Sequence, residues 1–175
     1  MENMFRDLKE NEIDVRIAQV KESGVSLLLY KDARVDQDIL DETVGAMNWQ
    51  RKHTRDNANC IVEIWDNEKK QWISKEDTGT ESFTEKEKGL ASDSFKRACF
   101  NWGIGRELYT APFIWVKEED TTIKMIKDIK TGKEKPTCYD KFYVEKIKII
   151  DKEIVGLSIK NNQNKRVFLY QKSGA

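Results

Sequence analysis

The residues best suited to chemistry stand in "KGLASDSFKRACFNWGIGRELY", residues 88–109, where Lys96 and Arg97 sit among aromatic side chains. Lys86, Gly89, Asp93, Lys96, Arg97 and Phe100 recur at helical spacing, so a helix would gather cations and one ring on a single face. Such a face can hold a single-stranded polyanion: cations track the phosphates and rings stack bases, at ~1–3 kcal/mol per base. The ordinary alternative is a surface pair between Asp93 and Arg97, worth about 0.3 kcal/mol, with Phe100 covering a neighbouring element. From periodicity alone the ordinary pair stands ahead, but it leaves an exposed ring beside cations that some further contact must explain.

Other candidates lie upstream. Arg34 stands at an expected strand-to-helix junction after "YKDA", and Arg51, Lys52 and Arg55 crowd an expected turn after Trp49, raising the local potential. Loop solubility explains the 51–55 cluster about as well. His53, the one histidine, is surrounded by cations and polar groups in "QRKHTRDN", with no nucleophile and base arranged around it, and reads as a surface loop residue. Asp36, Asp38 and Asp41 could in principle hold Mg²⁺ for a nuclease; their positions read instead as the solvated side of an amphipathic helix. "GIGRELY" lacks the third glycine of a dinucleotide fingerprint and follows a helix, so it reads as a helix stop and tight turn; no GxxxxGK[ST] occurs. No catalytic residues, cofactor or metal site are expected.

The elements that must position these groups follow from pattern. "MENMFRDLKE" reads as a short amphipathic helix through Met4, Phe5 and Leu8, and "IDVRIAQV" with "GVSLLLYKDA" as a hairpin turning at Ser23–Gly24. "RVDQDILDETVGAMNW" reads as a helix with Val35, Ile39, Leu40, Val44 and Met47 on its apolar side and Gly45 as a stop. "NCIVEIWD", "KQWISKED" and, with less pattern behind it, "GTESF" read as strands. "TEKE" at 84–87 fits a capping box opening the long helix, with Leu90, Ala91, Phe95, Ala98 and Trp102 on its apolar arc, Cys99 at the arc's edge, and Gly103 as its stop. After Pro112, "FIWVK" reads as a strand and the Lys-rich 117–138 as a polar loop. "DKFYVEKIKII", "EIVGLSIKN" and "RVFLYQ" read as a meander. The expected fold class is α+β: an antiparallel hairpin and meander packed on a central long helix, with a short C-terminal β meander.

With 175 residues the chain suits one domain with extensions. The expected division is a core over 1–116, a polar excursion over 117–138 and a β extension over 139–175. Lys plus Arg and Asp plus Glu both number 31, which excludes a global positive field, so polyanion binding must rest on a local patch. Three separated cysteines, never as CxxC, argue against a disulfide framework or a zinc site. The acidic opening and the lack of a run of ~20 apolar residues point to a cytoplasmic protein without a membrane partner.

"EKGLASDSFKRACFNWGIGRELY", with "YKDARVDQDILDETVGAMNWQ" and "DVRIAQV" upstream, resembles the phage and bacterial branch of the Rad fifty-two superfamily of single-strand annealing proteins. The likeness runs over about residues 10 to 116, and "DKFYVEKIKII", "GLSI" and "KRVFLY" are similar to the C-terminal strands of phage members. It implies a hairpin and meander wrapped around a central helix, assembled into rings that hold single-stranded DNA in a basic groove. The implied activity is annealing of complementary strands in recombination and double-strand break repair, without ATP and without bond cleavage. By position in the motif, Lys96 and Arg97 match the groove's Lys-Arg pair, Arg34 its junction arginine and Lys88 a further basic position; Trp49 matches an aromatic at the helix end. Expected partners are single-stranded DNA, further copies of the chain and a host or phage single-strand-binding protein. The rival reading is an oligomeric end-capping or scaffold protein without annealing.

Overall fold

Period-two alternation sets most of the strands. The computed structural model describes residues 4–80, 86–127 and 132–174, the side chains of 86–88 excepted. In chain order the elements are β1 (Asp14–Lys21), β2 (Gly24–Tyr30), α1 (Ala33–Val44), β3 (Trp49–Thr54), β4 (Asn59–Asp66), β5 (Gln71–Thr78) and α2 (Lys86–Trp102). There follow β6 (Ile114–Lys117), β7 (Lys124–Lys127), β8 (Glu134–Thr137), β9 (Phe142–Ile150), β10 (Glu153–Asn161) and β11 (Arg166–Gln171). The fold is α+β, and the strand pairings among the described residues are antiparallel. The chain divides into two compact units, the first Met1–Asp7 with Asp32–Arg106, the second Leu8–Lys31 with Glu107–Ala175.

In the first unit β3, β4 and β5 form a meander in which Cys60, Val62 and Ile64 of the central strand are buried on one face. α2 lies against β4 and β5 and buries Leu90, Phe95 and Ala98 of the stripe expected of it, with Cys99 and Ser94, while Ala91 and Trp102 are half-buried. The Trp102 indole N–H donates to the Val62 carbonyl at 3.1 Å. At the C-terminal end of α2, Lys75 Nζ donates to the Asn101 carbonyl at 2.8 Å and the Arg106 guanidinium to the Phe100 and Asn101 carbonyls at 2.9 and 3.0 Å. Two cations thus meet last-turn carbonyls at the negative end of the helix dipole, where the Phe100 carbonyl also accepts the Gly103 N–H at 3.0 Å.

The chain leaving β5 passes close to α2. A Cβ on Gly79 would lie 2.7 Å from the Ser94 backbone N, so only glycine lets the chain leaving β5 run this near the helix. The Gly79 N–H donates to the Ala58 carbonyl, and the Thr80 N–H to the Asp93 carboxylate at 2.8 Å. α1 is shorter than its apolar pattern predicts. It stops at Gly45, whose φ of 85° suits glycine, and Met47 lies beyond it, 89% exposed.

In the second unit six strands run in the order β11-β10-β9-β1-β2-β6. β6 lies against β11, so the sheet curls around a core of Val25, Leu27, Ile114, Val116, Val144, Ile154, Leu157 and Ile159. The C-terminal strands β9, β10 and β11 form the expected antiparallel meander, and β9 joins it to β1 through the pair Asp14 and Tyr143. Buried Glu107 accepts the Leu8 N–H at 2.7 Å and lies 3.9 Å from Lys152 Nζ.

Several local expectations give way. Residues 4–9 form no helix; Phe5 and Leu8 are buried as anticipated, but along irregular chain, and only Glu10–Glu12 makes a 3-10 turn. Gly79 and Thr80 are not in a strand, and the rest of "GTESF" lies outside the described residues, as does Thr84 of the expected capping box. Within 117–138, expected as loop, β7 and β8 pair as a two-stranded ribbon.

Candidate nucleic-acid interface

Arg34 is the second residue of α1, and Asp32 is that helix's N-cap. The Asp32 carboxylate accepts the Arg34 N–H at 2.8 Å and both Nε and an Nη of its guanidinium at 3.0 Å. Side-chain and then backbone hydrogen bonds from Arg34 hold the Asp32 carboxyl down at about 2, and Lys96 of α2 adds a weaker electrostatic pull. α1 packs against α2, and Lys96 is near enough to the α1 N-cap to act on Asp32 through space, although 62 positions separate Lys96 from Arg34 in the chain.

Arg97, the neighbour of Lys96, turns elsewhere. Its Nε lies 3.6 Å from Asp77 of β5, beyond hydrogen-bond reach, and has no acceptor. The expected surface pair with Asp93 is not formed, because Asp93 is taken by the Thr80 backbone. Asp77 also accepts from the Asn101 side chain at 3.2 Å. Phe100 is half-buried rather than exposed, with the Arg106 guanidinium 5.6 Å from its ring centre. Lys86 lies at the start of α2 and Lys88 on its first turn; their side chains lie outside the described residues.

The basic cluster at 51–55 is not a turn but mostly strand, and alternation splits it. Arg51 faces α2, its guanidinium 4.6 Å above the ring of buried Phe95, which also stacks on Trp49 at 6.1 Å. Lys52 points to the opposite face and pairs with Glu63 at 2.8 Å, while exposed Arg55 opens the turn that follows β3. His53, expected in a loop, is half-buried on β3 with Nδ1 3.4 Å from Ser94 Oγ. Burial, and then Arg51, push its pKa below the usual histidine value. Trp49 begins β3 and donates its indole N–H to Asp41 at 2.6 Å.

Of the three aspartates of α1, Asp38 and Asp41 are exposed as expected, Asp41 accepting the Trp49 indole N–H, whereas Asp36 is fully buried. Among the described residues no group of three or more His, Cys, Asp or Glu side chains is placed to hold a metal ion. No helix there is long and apolar enough to cross a membrane.

Sequence reasoning missed Asp32 and Asp77, the carboxylates that hold Arg34 and Arg97. The Asp32 signal was present, since aspartate just before an apolar helical run is an N-cap pattern. Asp77 had no local signal, because its pairing depends on how α2 lies across the meander. No protein-family model, curated protein or solved structure matches the chain.

Proposed function

We propose that the chain binds single-stranded DNA and anneals complementary strands without a nucleotide cofactor, in homologous recombination and double-strand break repair. The observation that carries this reading is the packing of α2 against α1, which sets Lys96 within electrostatic reach of the Asp32–Arg34 pair at the start of α1, with Arg97 beside Lys96 in sequence but turned to Asp77. Cations so grouped supply what a sugar-phosphate backbone requires, and the family resemblance supplies the annealing activity. In that resemblance α2 is the fold's central helix, and copies of the chain form a ring acting in the cytoplasm. Many weak sites on one tethered strand then act at a high effective concentration.

Binding in this scheme is an exchange of partners. A phosphate reaching Arg34 replaces Asp32, and one reaching Arg97 replaces Asp77; the bases stay outward, free to test a second strand. Anisotropy of a labelled oligonucleotide, measured across a salt series, tests this. Removing two phosphate contacts in Arg34→Ala with Lys96→Ala flattens the dependence of log K on log salt by about 1.4, at ~0.7 per phosphate. An unchanged slope with unchanged affinity rejects the assignment.

A second reading, an oligomeric end-capping or scaffold protein without annealing, is favoured by one feature. Arg34 and Arg97 are already paired within the chain, and Phe100 is half-buried rather than offered to a base. Binding without acceleration of annealing selects it.

A further inference from the structure

The curled sheet of the second unit carries a trough on its outer face. About 310 Å³ in volume, it runs over β10 between β9 and β11. Two registers cross it. Lys146, Ser158 and Leu169 lie side by side in one, and Lys148, Gly156 and Gln171 in the other. Gly156 makes the notch: a Cβ there would come within 3.3 Å of the Lys148 Cβ.

Charge pairing around this trough is uneven. On β10, β11 and their turns, each cation has a carboxylate: Lys152 has Glu107, Lys160 and Arg166 share Glu145, Lys165 has Asp120 and Lys172 has Glu153. Glu145 is held down at about 2, chiefly by Arg166, and so is committed to its partners. Lys146 and Lys148, both exposed, have no carboxylate partner among the described residues. Across β10 from them Leu169 is 69% exposed, an aliphatic side chain left in water.

From this arrangement we infer that the trough docks an extended acidic and apolar segment of a partner protein. Lys146 and Lys148 are two residues apart on a strand, roughly 6.8 Å at ~3.4 Å per residue, which is the side-chain repeat of any extended peptide. A peptide lying along β10 presents alternate side chains to either side. Acids reach the β9 lysines, and apolar groups reach Leu169 and the notch over Gly156. The apolar contact, and charges left without a partner in the free protein, are the two ingredients such an interface needs. The trough's lining also includes Tyr170, which is half-buried, and Arg166, which is committed to Glu145. Its exposed apolar side chain is aliphatic Leu169, which suits a peptide better than a nucleic acid, whose bases stack on flat rings.

Anisotropy of a fluorescein-labelled hexapeptide alternating aspartate and leucine tests the inference on the full chain. Saturable binding is expected. Lys146→Glu with Lys148→Glu weakens it at least tenfold and Leu169→Ala about threefold, while single-stranded DNA affinity is unchanged in both variants. These positions are exposed, so circular dichroism should be that of the parent chain. The inference is overturned by any of three results: no saturable binding by the parent, equal binding of a peptide with lysine for aspartate, or affinity unaffected by both variants. Displacement of the peptide by oligonucleotide, with loss of DNA affinity in the lysine variant, also overturns it and assigns the trough to nucleic acid. The DNA readout keeps this outcome separate from failure of the strand-annealing proposal, which concerns the first unit.

Discussion

Arg97 turns toward Asp77 on β5, with 3.6 Å between Nε and Oδ1, and away from Asp93, one turn back on its own helix. Tertiary placement thus overrides the i, i+4 geometry that the sequence offers. If DNA takes Arg97 as proposed, it must displace Asp77, so Asp77→Asn should tighten single-strand binding. A partly exposed pair is worth ~0.2–1 kcal/mol, which corresponds to roughly a twofold gain. Asp93→Asn should leave DNA affinity unchanged. Anisotropy titrations of the two variants side by side check this, and equal effects would remove the assigned competition.

Phe95 is buried between Trp49 and the Arg51 guanidinium. Phe95→Ala should cost about 3–5 kcal/mol of stability, as large-to-small changes in cores do. Arg51→Ala should cost about 1 kcal/mol, through lost packing and cation–π attraction. Urea unfolding of both variants reads the difference. A DNA-affinity loss in Arg51→Ala without a stability loss would place Arg51 on the ligand side.

Gly79→Ala should be destabilising by about 1–3 kcal/mol, because its Cβ meets backbone rather than a flexible side-chain tip. Gly103→Ala, with open space around its Cβ but a φ of 105°, should be destabilised through backbone strain alone. Denaturant midpoints for the pair separate close approach from conformation.

His53 favours its neutral form in the fold, mainly through burial and then through Arg51. Its folded pKa is below its unfolded value, so the unfolded chain binds the extra proton. The stability this group contributes is present above the ordinary value of 6.5 and is lost as pH falls through the folded pKa. His53→Gln should flatten stability against pH below about 6.5. Thermal unfolding at stepped pH measures it, and an unaltered profile would show that His53 does not control it.

Strands whose two faces differ in polarity were legible. The "NCIVEIWD" stretch matches β4 residue for residue, because Cys60, Val62 and Ile64 alternate with half-buried positions. β3 was not legible. "WQRKHT" has no apolar alternation, since the face it turns to α2 carries Arg51, exposed but lying on the Phe95 ring, and half-buried His53 beside Ser94. Met4, Phe5 and Leu8 have helical spacing, yet the Glu107 carboxylate binds the Leu8 N–H, a group that a helix would have used. Of the candidate interface, the sequence pointed to Arg34 and Lys96. It could not say that Lys52 faces away from Arg51, because that depends on recognising the strand.

The central claim is most directly tested by the rate at which two complementary fluorescent oligonucleotides anneal with the purified chain, at low and moderate salt and without nucleotide. Acceleration by the parent, weaker at the higher salt and lost in Lys96→Ala with Arg97→Ala, is the predicted result. A folded parent that leaves the annealing rate unchanged, or a double variant that anneals as well as the parent, would contradict it.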